Sequence, residues 1–207
     1  MILHPDAALR FLLVRHAEAL GIVHGGLDAA IQETCAMWTP RYPDLFGVHA
    51  NVFAGNVRQC LLSFLECEKF RESSLNAAPG SNCSVILSDA ECAQTMVRKH
   101  PRSYVTGELV SVTECPADTL WGVDYSAAPW QPYVLWEADL KTQVLRHAWL
   151  AAVSGIDDPQ GAVIYGRFDL PSAIMPVVEP PPSGDSDNDD WNEEFGEGEG
   201  EGPSDPA

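Results

Sequence analysis

Along the first third of the chain, apolar side chains return at the helical period. Leu9, Leu12, Leu13, His16, Ala17 and Leu20 share one face after the start signal Pro5-Asp6, and Gly21 offers a stop, which predicts an amphipathic helix. Leu27, Ala30, Ile31, Thr34, Cys35 and Trp38 predict a second helix, ended by Pro40 and Pro43, with the Gly-rich segment 21–26 as the loop between the two. A third helix is expected over residues 52–71, where Val57, Leu61, Leu62, Leu65 and Cys67 are apolar and Glu66, Glu68, Lys69 and Arg71 polar. Residues 76–82, rich in Ala, Pro, Gly, Ser and Asn, read as a loop.

Beyond that loop the pattern shortens. Ser84-Val85-Ile86-Leu87 reads as a strand, and Ser88-Asp89 as the cap of a short helix over 90–99, stopped by Pro101. The runs 104–106, 109–113, 133–138, 144–153 and 162–168 are rich in Val, Tyr, Thr and Trp and are separated by Pro, Gly and Asp. Their spacing leaves little room for crossover helices, so an antiparallel sheet is the economical arrangement. Residues 133–139 and 144–150 read as a hairpin turning at 140–143. The expected fold class is therefore α+β, with N-terminal helices packed on a mainly antiparallel sheet.

Charge divides the chain in two. From Glu179 onward there are eleven acids and no Lys or Arg, so that segment carries −11 of the formal −18, and the rest holds 19 acids against 12 bases. Residues 1–176 are expected to form one compact domain, and 177–207 a Pro-rich linker with a disordered acidic tail, because such a composition cannot bury enough apolar area to offset its ordering entropy. An acidic chain repels phosphate backbones and anionic lipid, so neither direct nucleic-acid nor membrane binding is expected. No run approaches the length of a membrane-spanning helix. The six cysteines, at 35, 60, 67, 83, 92 and 115, form no Cys-x-x-Cys pair and follow no secretory signal. They are expected to be free thiols in a reducing, intracellular compartment. Neither they nor the six histidines show zinc-ligand spacing, so no metal or cofactor is expected.

Three segments carry candidate chemistry. Phe11-Leu12-Leu13-Val14-Arg15-His16-Ala17-Glu18 resembles the histidine phosphatase superfamily, in which an Arg-His-Gly/Ala-Glu segment supplies a phosphorylated histidine. That resemblance implies a phosphohydrolase with His16 as nucleophile, Arg15 and Arg58 on the phosphoryl oxygens and His147 as the later histidine, since an imidazole attacking phosphorus needs cations around its oxygens. The competing reading of the same string is an amphipathic helix with Arg15 and Glu18 in solvent. Asp124 followed by Asp139-Leu140-Lys141 resembles restriction-like nucleases, which would give Asp124 and Asp139 to a divalent metal and Lys141 to a water. Here the competing reading is a hairpin turn.

The third segment is 185–195, where Trp191 and Phe195 stand four residues apart within a run of carboxylates. On folding they would share a helical face as apolar anchors, with Asp189 and Asp190 steering toward a protein partner that has a basic-rimmed apolar groove. The reading preferred from sequence is a non-enzymatic regulatory or accessory protein acting through protein–protein contact. Small acidic proteins of this style occur in viral and mobile-element genomes.

Overall fold

The computed structural model describes residues 4–45, 47–91, 93–102, 106–113, 130–157 and 161–172. All of them belong to the unit Met1–Met175. The fold is α+β, with four helices and then a six-stranded sheet among the described residues. The expected tail 177–207, with Trp191, Phe195, Asp189 and Asp190, lies outside the described residues, as do Asp124, Cys92, Cys115 and the run 104–105.

Helix α1 spans Pro5–Arg15 and α2 Ala17–Trp38. Pro5 opens α1, where its missing N–H is no loss, and the His4 ring accepts from the Asp6 amide at 3.3 Å. The break falls at His16 (φ −116°, ψ 24°), earlier than the predicted stop at Gly21. The Gly-rich segment is no loop: it runs inside α2. Its helical form is explained by packing, because a side chain on Gly26 would meet Leu61 Cδ1 of α3 (Ala50–Phe64) at 3.1 Å. The close approach of the two helices there outweighs the poor intrinsic propensity of glycine.

The predicted third helix is broken. After α3 the backbone turns through Leu65, Glu66 and Cys67, and α4 (Glu68–Arg71) restarts the helix so that Phe70 is buried.

The sheet holds β1 (Asn76–Pro79), β2 (Val85–Ser88), β3 (Gln94–Lys99), β4 (Gln131–Asp139), β5 (Val144–Ser154) and β6 (Val163–Asp169) in sequence order. Every neighbouring pair is antiparallel except β3 and β4, which residues 100–130 connect in parallel. Two predicted elements are corrected. Residues 76–79 are an edge strand rather than loop, held by pairing with β2. Residues 94–99 are a strand rather than the end of a capped helix. Asp89 does cap a turn, since its Oδ1 accepts from the Glu91 and Ala93 amides at 2.9 Å each, but the turn closes the β2–β3 hairpin. Of the run 109–113, only the isolated bridges of Leu109 to Arg102 and Val112 to Ile164 are strand-like.

The helices cover one face of the sheet: α1 packs on β5 and β6, α2 on β5, and α3 on β1. Val134, Trp136, Leu150 and Ala152 point into this layer with Leu9, Val23, Leu27, Ile31 and Leu61. The alternate residues Tyr133, Leu135, Trp149, Ala151, Val153 and Ile164 build a second, smaller core on the opposite face. Apolar burial on both faces makes the middle of β4 and β5 almost continuously buried. Among the described residues no helix is long and apolar enough to cross a membrane.

Candidate interaction site

The residues singled out by the phosphatase resemblance are distributed over the fold. His16 is 5% exposed at the α1–α2 junction, with Nδ1 2.7 Å from Ser74 Oγ and Nε2 3.8 Å from Asp89 Oδ2. Arg15 reaches Glu91 Oε1 at 2.8 Å and Asp89 Oδ2 at 3.7 Å. Burial, reinforced by the Arg15 charge, pushes the His16 pKa below its ordinary value against the pull of Asp89 and Glu91. Two carboxylates beside the ring oppose the approach of a phosphoryl dianion.

Arg58 sits elsewhere, donating from Nη1 to the Gly80 carbonyl at 3.3 Å, just beyond β1. His147 lies on β5, stacked on Trp149 on the face away from the helices. Strands β1 and β5 are four strand spacings apart, roughly 19 Å. The described structure therefore gathers Arg15 with His16 and leaves Arg58 and His147 apart from them.

Asp139 and Lys141 belong to the β4–β5 hairpin. Asp139 Oδ1 accepts from the Lys141 amide at 2.9 Å and the Thr142 amide at 3.3 Å. The Thr142 side chain and these amides hold the Asp139 carboxyl below the usual range. Its observed role is that of a turn cap. Among the described residues no group of three His, Cys, Asp or Glu side chains is placed to hold a metal ion. Cys35 and Cys60 are buried free thiols whose pKa burial raises, and Cys67 and Cys83 are free as well.

A cluster with no local sequence signature stands on the sheet face opposite the helices. Its centre is Trp149, whose ring stacks on His147 (centroids 4.8 Å, planes at 20°) and meets His100 edge-on at 5.2 Å. The Arg167 guanidinium carbon lies 4.4 Å from the same ring's centroid. Register explains the gathering. Glu137 pairs with His147 across β4–β5, and the His100 amide, just past β3, donates to the Trp136 carbonyl at 2.7 Å. His100, Glu137 and His147 thus line up across three strands.

Glu137 is 6% exposed, and its Oε1 lies 3.6 Å from Arg102 Nη2 and 3.9 Å from Arg146 Nη1. Both distances are ion contacts rather than hydrogen bonds. Glu137 Oε2 is buried and has no hydrogen-bond partner among the described residues. His100 Nδ1 is 2.9 Å from the Pro101 carbonyl, which can only accept, so the neutral ring carries its proton there and leaves the buried Nε2 as an unpartnered acceptor. Burial lowers the His100 pKa, and that of Lys99 beside it. Arg102 and Arg146 contact the Glu137 carboxylate and Lys99 feels its charge, while Arg167 lies over the neighbouring Trp149 ring, in a chain whose formal charge is −18. The side chains of Arg102 and Arg146 are 55% and 61% exposed, and Arg102 Nη1 also donates to the Gly107 carbonyl at 3.1 Å. No protein-family model, curated protein or solved structure matches the chain.

Proposed function

We propose that the protein is a regulatory or accessory protein that works through protein–protein contact, and that the β4–β6 face takes an acidic segment of its partner. The observation that carries this reading is the set of cations around Glu137 and Trp149. Exposed guanidiniums on a packed aromatic platform offer bidentate contacts to carboxylates and a planar surface for stacking. The chain's overall acidity disfavours a nucleic-acid ligand and leaves this face as a local exception. The acidic tail supplies a separate contact in this reading, with Trp191 and Phe195 as anchors and Asp189 and Asp190 steering toward a basic-rimmed apolar groove on a partner. A reducing intracellular setting, with free thiols, belongs to the same proposal.

The test is fluorescence anisotropy with two probes, an Asp/Glu-rich peptide containing tryptophan and a single-stranded oligonucleotide. The peptide is expected to bind more weakly as salt rises and to be lost from the Arg146→Glu, Arg167→Glu double variant. Tighter binding of the oligonucleotide would replace the protein-partner reading with a nucleic-acid one. Binding of neither probe would remove the face as a site.

A further inference from the structure

Besides the proposed contact surface, the described residues hold a constellation with the parts of a reactive centre. Ser74 is exposed in the turn between α4 and β1, and its Oγ lies 2.7 Å from His16 Nδ1. The ring behind it is buried, and its other nitrogen faces the buried carboxylate of Asp89 at 3.8 Å. Asp89 only accepts when ionised, so the favoured neutral tautomer carries its proton on Nε2 and turns the Nδ1 lone pair toward the serine hydroxyl. A serine, a histidine that accepts its proton and a carboxylate behind the histidine are the elements of an activated nucleophile. The serine here uses Nδ1 and the carboxylate Nε2, and the longer of the two contacts must shorten by less than 1 Å to become a hydrogen bond, a tightening that catalytic sites show on loading.

We propose that Ser74 is a nucleophile toward small uncharged acyl esters, with His16 as its general base and Asp89 as the carboxylate that stabilises the charged ring. The choice of substrate follows from charge: Asp89 and Glu91 outnumber Arg15 around the site, so anionic acyl or phosphoryl donors are disfavoured. The exposure of Ser74 suits a small ester rather than a deeply enclosed one. In the acylation step Ser74 Oγ bonds to the carbonyl carbon while its proton passes to His16 Nδ1 and the carbonyl π pair moves onto oxygen. Collapse of this intermediate breaks the bond to the leaving alkoxide, which takes the proton from His16. Water, deprotonated by the same nitrogen, then releases the acid and restores Ser74. This activity goes beyond the contact role proposed above and stands or falls independently of it.

The experiment is labelling of the full chain with a neutral fluorophosphonate ester, which forms a Ser–O–P bond and expels fluoride, followed by peptide mass mapping. The exposed Ser63 serves as the internal control. The adduct is expected on Ser74 at a rate at least tenfold above Ser63, and to vanish in Ser74→Ala. Asp89→Asn keeps an oxygen for the Glu91 and Ala93 amides but removes the charge, and should slow labelling about tenfold with unchanged circular dichroism. Because His16 is harder to protonate than an ordinary histidine, the labelling rate should fall with acid around a midpoint below 6.5, the ordinary imidazole value. Absence of an adduct on Ser74, a rate equal to that of Ser63, or a rate indifferent to Asp89→Asn in folded protein would each overturn the proposal.

Discussion

Gly26 is the position where helix propensity and packing oppose each other most directly. Replacing an interior helical glycine by alanine gains about 1 kcal/mol from the reduced freedom of the unfolded chain and the better propensity. At Gly26, however, the added Cβ would stand 3.1 Å from Leu61 Cδ1, 3.7 Å from Phe64 Cβ and 3.9 Å from Leu65 Cδ2. Leu61 and Leu65 are buried, so the Leu61 tip must give by a few tenths of an ångström against a filled core. Overpacking a filled core costs about 1–3 kcal/mol, which cancels or exceeds the propensity gain. Gly26→Ala should therefore leave stability unchanged or lower it by up to about 2 kcal/mol. Gly26→Val loses most of the propensity gain and adds two more carbons against the same wall, and should destabilise by about 2–3 kcal/mol. Urea unfolding followed by circular dichroism at constant m-value measures both. A Val variant as stable as the parent would show that α2 and α3 do not approach closely at Gly26, and would reopen the segment 21–26 as a loop.

His16 and His100 are both held neutral by burial, with pKa values lowered from 6.5, so the unfolded chain protonates first. Their contribution to stability is complete above that value and is lost as pH falls from about 6.5 through the lowered folded pKa values; an unfolding midpoint unchanged between pH 7.5 and 5.5 would contradict this. Phe70 is 2% exposed and anchors α4, so Phe70→Ala should cost about 3–5 kcal/mol by the same urea assay; a cost under about 1 kcal/mol would mean that α4 does not pack on the domain. For the tail, Trp191→Ala should remove on the order of 2 kcal/mol of partner affinity, whereas neutralising Asp189 and Asp190 should mainly slow association. Identical binding curves for the parent, Trp191→Ala and a truncation at Pro180 would reduce the tail to a solubilising extension.

The parts of the fold legible in sequence are those where local pattern and tertiary packing agree. The β4–β5 hairpin is one: apolar runs flank Asp139, whose side chain closes the turn, and Gln143 takes the left-handed conformation (φ 59°) the turn needs. The helical periodicity of residues 27–38 is another. Misreadings arose where a residue's local preference serves a non-local end. Asp89 has the chemistry of a helix cap and uses it on a hairpin, because Val97, opposite Val85, must enter the helix-side core. Ala77, Ala78 and Pro79 are poor strand formers individually, and become β1 because β2 offers them a free edge. His16 ends one helix and precedes the next because its ring is committed to Ser74 and Asp89, partners far along the chain.

The cationic face was illegible for a related reason. Its members come from the ends and middles of separate strands and meet only through register, so no spacing along the chain connects His100, Glu137, His147 and Arg167. One residue did carry a signal. Glu137 follows Tyr133-Val134-Leu135-Trp136 in a strand buried on both faces, and a carboxylate in that position must be matched by nearby cations or held at a large cost in desolvation. The structure supplies the match from Arg102 and Arg146, yet among the described residues Oε2 and the neighbouring His100 Nε2 have no hydrogen-bond partner. A core designed only for stability would have an apolar residue at this position and would lose nothing by it. Retaining a charged group there, beneath guanidiniums that remain open to solvent, makes physical sense if Glu137 orients those arginines for something outside the chain. Glu137→Met should then preserve or raise stability while weakening the acidic-peptide affinity of this face.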